Sequence, residues 1–264
     1  MSDAGQLGEG LPSTDAHGSP ARIIGASGEG RPIALHELSS PASPPIRLLV
    51  FGGIHGDEPS SVDAVVELVA RATRLVAGAV PRLAEGGGER SSPSVESGGR
   101  LWLLPALNPD GLAAGRKNSA SDVDLNRNFP ARSFAPSGDR SHAPGYDPGP
   151  RPLSEPETAA LARFLDEERV EAVVAVHAPF ACVNYDGPAD AWAEAVSTAC
   201  GWPVRPQIGY PTPGSLGSWL GIDRGIPILT LELPGGPLAS FRAQAAAALD
   251  RAVGYWSERL TANR

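Results

Sequence analysis

The sequence predicts an α/β fold in a single domain, with a mostly parallel mixed sheet and helices on both faces. Three features point there. Four short apolar runs are spread along the chain, helical patterns lie between them, and polar residues cluster just past each run. Strands that alternate with helices over such distances build parallel sheets with helices packed against them. No internal repeat is found, and 264 residues suit one domain.

Residues 1–20 are polar and rich in Gly, Ser and Pro, and read as a loose lead-in to a domain over 21–264. Arg47–Gly52 is an apolar run that stops at Gly52-Gly53, a buried strand. Ser60–Val76 carries Val62, Val65, Val66 and Val69 at helical spacing. Glu85–Gly99 is a low-complexity surface insertion. Leu101–Leu104 is the second buried strand, followed by a Gly/Asn/Pro/Ser-rich passage to about Pro152, a length that is usually functional. Its portion from Arg132 to Pro150 is expected to border a cleft. Ser154, Pro156 and Glu157 form a capping-box signature for a helix running to Arg169. Ala172–Val176 and Pro227–Leu231 are the remaining buried strands, and an Ala-rich helix over Gly236–Leu260 closes the chain.

Composition narrows the function. A net charge of −8 argues against nucleic acid, whose binders present a basic face. No apolar run approaches the ~20 residues that span a bilayer. The first residues also carry no basic and apolar leader pattern, so a cytoplasmic, membrane-free protein is expected. Cys182 and Cys200 are expected as two buried thiols.

The polar clusters past the four runs are His55-Gly-Asp-Glu58, Asn108-Pro-Asp-Gly111, His177 and Glu232. Open α/β sheets bind ligands outside the carboxyl ends of their strands, so these distant residues can converge. Catalytic zinc takes three protein ligands and leaves one position open, and two histidines with a glutamate are an established set. His55 and Glu58 sit three apart across a turn into a helix, and His177 supplies the third ligand. Of the five histidines only these two follow apolar strands. His17 and His142 fall in loops, and His36, in a mixed segment, is expected to be exposed. Either histidine alone would more often be a hydrogen-bonded structural residue.

Glu232, at the end of an apolar strand, suits a general base whose pKa is raised by apolar surroundings. Arg116 and Arg127 flank the middle loop, and arginine can bind carboxylates through two parallel hydrogen bonds or stabilise an oxyanion. Gly25–Pro32 imitates a phosphate loop but has Arg31 and Pro32 where Lys and Ser/Thr are required, and no G-x-S-x-G elbow occurs.

With these residues in place, the sequence resembles the zinc metallocarboxypeptidase family. The matching pieces are Ile24–Ile33 (IGASGEGRPI), His55-x-x-Glu58, Asn108–Gly111, Asp124-x-Asn126-Arg127-Asn128, His177 and Glu232, in the family's order. Within it, His55–Val62, Val123–Ala131, Ser154–Thr158, Ala181-Cys182 and Gly209–Trp219 resemble murein peptide amidases. The resemblance implies one zinc per chain, held by His55, Glu58 and His177, with Glu232 as base. It implies Arg116 as the oxyanion arginine and Asn126 with Arg127 as a carboxylate clamp. Tyr210 falls at the family's mobile tyrosine and Gly217 at the position that sets pocket chemistry. The implied substrate is the small murein peptide L-Ala-γ-D-Glu-meso-diaminopimelate, cut between γ-D-glutamate and diaminopimelate during cell-wall peptide recycling. No motif marks what reads the distal end of diaminopimelate, for which Asp186 is the candidate. A zinc-dependent deacylase of N-acyl amino acids and a catalytically inert binding protein are the rival readings.

Overall fold

A computed structural model describes residues 21–40, 46–79, 99–137 and 144–262. The lead-in over 1–20, nearly all of the insertion 85–99, and both His17 and His142 lie outside the described residues.

One seven-stranded sheet organises the described chain. Its strands are β1 (Arg22–Ala26), β2 (Pro32–Ser40), β3 (Arg47–Phe51), β4 (Gly99–Leu104), β5 (Ala172–His177), β6 (Phe180–Asp186) and β7 (Ile228–Pro234), in spatial order β1-β2-β4-β3-β5-β7-β6. The pairs β4–β3, β3–β5 and β5–β7 are parallel, while β1–β2, β2–β4 and β6–β7 are antiparallel. The four strands expected from apolar runs are the parallel centre. Strands covered on both faces need apolar residues at every position, whereas flanking antiparallel strands do not.

Side chains alternate across this centre. Leu48 and Val50 of β3 point to a core shared with helices α1 (Pro59–Ala79), α4 (Asp190–Cys200) and α5 (Arg242–Ala262), through Val65, Trp192 and Leu249 among others. Leu49 and Phe51 point the other way, towards Leu161, Phe164 and Leu165 of α3 (Pro156–Glu167). Helices therefore cover both faces, as expected. All four β3 residues are essentially inaccessible to water, and burying each such side chain contributes about 1.5–3 kcal/mol. Both cysteines are buried and unpaired.

Three local expectations are corrected. The capping box does not form. Helix α3 starts at Pro156 with Glu155 as its cap residue, and Glu155 makes no side-chain cap bond. Ser154 lies one residue outside, and Glu157 instead accepts from the Gly28 amide of the β1–β2 turn. Asn128 replaces the local cap by accepting from the Glu155 amide and the Thr158 hydroxyl. The C-terminal helix begins at Arg242, after a short 3₁₀ turn over Leu238–Ser240. His36 is buried, because β2 lies inside the sheet between β1 and β4 and puts His36 opposite Leu103.

The chain leaves β3 for β4 on one side and returns to β5 on the other. Connections departing in opposite directions open a crevice at the carboxyl ends of β3 and β5. His55 and Glu58 lie just past β3, and His177 ends β5.

Candidate active site

His55 and Glu58 occupy the turn between β3 and α1, and a close backbone approach holds that turn in place. A Cβ on Gly56 would sit 1.9 Å from the Gly111 carbonyl carbon, so only glycine fits. The Gly56 amide donates to the Lys117 carbonyl at 3.2 Å. Asn108 Nδ2 donates to the Ile54 and Lys117 carbonyls, and its Oδ1 caps helix α2 (Pro109–Ala114) at the Gly111 amide. The Asn108-Pro-Asp-Gly segment thus builds the floor under the His55 turn.

The three expected ligands converge. His55 Nδ1 lies 2.8 Å from Glu58 Oε1, and His177 Nδ1 lies 3.1 Å from Glu58 Oε2. One donor atom from each falls within 4.8 Å of the others. Zinc bonds of about 2.0–2.2 Å in tetrahedral geometry place ligands about 3.3 Å apart, so a small closing movement completes the set. Two imidazoles and a carboxylate are the donors zinc prefers, and the residues present fit it.

The same residues are coupled electrostatically. Burial alone would lower the His55 pKa, but its hydrogen bonds to Asp124 and Glu58 outweigh that and hold the ring at about 9. Burial would raise Glu58, but the charge and hydrogen bonds of His177, then those of His55, bring it to about 2. Behind the ligands, His55 Nε2 faces Asp124 Oδ1 at 3.1 Å. Asp124 is fully buried and receives Lys117 Nζ and the Asn126 amide. A carboxylate behind a ligating histidine fixes its ring orientation and tautomer.

Glu232 stands beside His177 in the β5–β7 register. It is buried, and its Oε2 has no hydrogen-bond partner among the described residues. Burial pushes its pKa up, partly offset by His177 and reinforced by Glu58. A carboxylate held there, with an uncommitted oxygen, is equipped to accept a proton.

These residues line one cleft of about 1140 Å³. Asn126 and Arg127, on a 3₁₀ turn over Leu125–Arg127, also face it, as do Gly217 and the half-exposed Tyr210. Asn126 Oδ1 accepts from the Leu216 amide. Arg116 is not brought to the cleft wall. It follows the left-handed end of α2 at Gly115, half-buried, with its Nε unpartnered among the described residues, while the next residue, Lys117, lines the cleft. Tyr146 also lines it, with the Lys117 ammonium 3.5 Å from its ring centre and the Arg127 guanidinium 5.2 Å away. Tyr146 lies in the 132–150 loop expected to border the cleft, but no signal in the sequence distinguished it. Asp124 did sit inside a quoted motif, without a role.

Residues 19–189 match the family model described as zinc carboxypeptidase. The chain belongs to the zinc carboxypeptidase family. Murein peptide amidase A of Escherichia coli K12 is 34% identical over 203 residues, covering 74% of this chain and 73% of that protein. The Vibrio campbellii amidase is 33% identical over 140 residues, covering 50% and 56%. Among solved structures, the murein-tripeptide amidase from E. coli O157 superposes with a TM-score of 0.66 at 28% identity, over 93% of this chain and 92% of that one. Bovine thrombin-activatable fibrinolysis inhibitor reaches 0.70 at 19% identity, over 92% and 90%, a likeness of fold alone. As a zinc carboxypeptidase this protein is a hydrolytic enzyme. The family match ends at residue 189, before Tyr210, Gly217 and Glu232, so Glu232 stands on its geometry beside His177. No helix among the described residues is long and apolar enough to cross a membrane.

Proposed function

We propose that this zinc carboxypeptidase hydrolyses the amide between γ-D-glutamate and meso-diaminopimelate in L-Ala-γ-D-Glu-meso-diaminopimelate, using one zinc per chain. The observation that carries the reading is the cleft itself. It unites His55, Glu58 and His177, a buried carboxylate with a free oxygen at Glu232, and the Asn126–Arg127 pair. The similarity to murein peptide amidases over most of both chains supports the substrate class.

His55, Glu58 and His177 hold the metal, and Asp124 orients His55 from behind. Bound zinc supplies Lewis acidity that lowers the pKa of water towards ~7 and polarises the scissile carbonyl. Glu232 accepts the proton of the attacking water and returns it to the departing amine of diaminopimelate. Arg127 and the Asn126 side-chain amide receive the free carboxylate next to the scissile bond, which fixes the register of cleavage. Arg116 stabilises the oxyanion from one residue beyond the cleft wall, and its unpartnered Nε leaves its side chain little to lose by turning inward. Tyr210 closes over the bound peptide from the cleft mouth, and Gly217 leaves the pocket wall bare. This reading places the enzyme in the cytoplasm, acting on peptides recycled from the cell wall.

The test is mass spectrometry of products formed by zinc-loaded protein from a panel of muropeptides and N-acyl amino acids. Release of free diaminopimelate from the tripeptide is the expected outcome. Turnover of acyl-aspartate with an intact tripeptide would assign a deacylase instead.

A further inference from the structure

Tyr146 lines the cleft from a stretch of loop that is tied on both sides to the segment behind the metal site. The Gly145 carbonyl accepts from Lys117 Nζ at 3.1 Å, and the Asp147 carbonyl accepts from the Asp124 amide at 2.7 Å. Asp147 is braced in turn, since its Oδ1 accepts from Ser137 Oγ and from the Gly149 amide. The Tyr146 ring is therefore placed by the backbone on either side of it. Its hydroxyl forms no hydrogen bond among the described residues.

Two cations lie against that ring. Lys117 Nζ is 3.5 Å from its centre, and the Arg127 guanidinium carbon is 5.2 Å away. Both distances fall within the ~6 Å over which an aromatic face attracts a cation. The two cations are held differently. Lys117 is committed to Asp124 and to the Gly145 carbonyl. Arg127 is buried, yet among the described residues it forms no ion pair, and its side-chain hydrogen bond runs from Nη1 to the Asn126 carbonyl at 2.7 Å. An arginine side chain has many rotamers, and one bond to the adjacent carbonyl does not fix the plane of its fork. The Tyr146 ring is the second restraint.

We infer that Tyr146 is a positioning residue, whose ring holds the Arg127 guanidinium in the orientation that receives the substrate carboxylate. This rests on the hydrolysis and the Arg127 role proposed above. Arg127 touches the substrate, and Tyr146 acts through Arg127. A fork oriented before the peptide arrives loses less freedom on binding, so a free carboxylate is held more tightly. An aliphatic side chain fills similar space without the electron-rich face, whereas phenylalanine keeps that face. The carboxylate stays bound from ground state to transition state, so the effect falls on KM and leaves kcat nearly unchanged.

The experiment measures kcat, KM and zinc content for zinc-loaded wild type, Tyr146→Phe, Tyr146→Leu, Arg127→Ala and the double variant Arg127→Ala/Tyr146→Leu on L-Ala-γ-D-Glu-meso-diaminopimelate. Tyr146→Leu is expected to raise KM about threefold to thirtyfold, the range of one cation–π contact, with kcat within about twofold of wild type and zinc content unchanged. Tyr146→Phe restores KM to near the wild-type value. In the Arg127→Ala background Tyr146→Leu adds nothing further, because residues that act through one another are not additive. Tyr146→Ala takes the place of Tyr146→Leu if the latter does not fold. An unchanged KM in Tyr146→Leu, an equal rise in Tyr146→Phe, or an undiminished effect in the Arg127→Ala background overturns the assignment, as does loss of zinc from Tyr146→Leu. If wild type does not cleave the peptide, the proposed hydrolysis fails and this inference falls with it.

Discussion

His55 is held between two carboxylates: Nδ1 is 2.8 Å from Glu58 and Nε2 is 3.1 Å from Asp124. In the proposed site the first carboxylate would share the metal with the ring, and the second would determine which nitrogen faces that metal. Asp124 is itself fixed by Lys117 and by the Asn126 amide, so the orientation is transmitted from the loop that also carries Arg127. Replacing Asp124 with Asn keeps the shape but weakens the acceptor behind the ring. Zinc affinity should fall about 10–100-fold, measured by chelator competition. Wild-type affinity in the variant would show that Asp124 only packs the loop.

His55→Ala and His177→Ala should each abolish tight zinc binding, because the two remaining ligands cannot build the site. Metal analysis of purified protein should find about one zinc per chain in wild type and almost none in the variants. Stoichiometric zinc in the double variant would refute the ligand assignment.

Glu232→Gln should retain zinc and lose most turnover. The amide is nearly isosteric, but it cannot take a proton from water, and loss of general-base action costs about 10²–10⁴ in rate. The measurement is kcat on metal-replete protein. A near-normal kcat would remove Glu232 from the chemistry.

The tripeptide should be preferred over stems extended by D-Ala. Extension converts the carboxylate that faces Arg127 into a neutral amide and costs about 1.5–3 kcal/mol, at least about tenfold in kcat/KM. In Arg127→Ala the preference should shrink, since no guanidinium remains to discriminate. Equal cleavage of both peptides by wild type would contradict the clamp.

Asp110 offers a stability test away from the metal. It is buried and accepts from Ser27, Arg31 and the Glu29 amide, and these contacts outweigh burial to hold its pKa below the usual aspartate value. A carboxyl with a depressed folded-state pKa adds stability that is present above the unfolded pKa and lost as pH falls through the folded one. Asp110→Asn should therefore cost about 1.5–3 kcal/mol at neutral pH, with the gap to wild type narrowing below about pH 4. Denaturant melts across pH measure this, and a gap independent of pH would deny the ionised hydrogen bonds.

The sequence by itself determined the parallel core and named the three residues that converge, His55, Glu58 and His177. Strands buried on both faces must be apolar throughout, so β3, β4, β5 and β7 announced themselves, and the polar residues that interrupt them fall at the carboxyl ends where a site forms. It did not disclose β1, β2 and β6, whose burial is uneven, nor the buried state of His36, which depends on lying between two other strands.

Only the tertiary structure decided which neighbours serve each functional group. Asn128 replaced Ser154 at the start of α3 because a side chain distant in sequence reached the Glu155 amide and the Thr158 hydroxyl. Lys117, and not Arg116, faces the cleft because the left-handed Gly115 and the hydrogen bonds to the Lys117 carbonyl set the chain's direction there. Asp186 fills the space above Gly217 because β6 ends against the helical segment that carries that glycine, a proximity between residues 31 positions apart. Hydrophobic periodicity is a local signal and survives in the linear chain. Pairings between distant polar side chains depend on loop paths and close backbone approach, which the linear chain does not display.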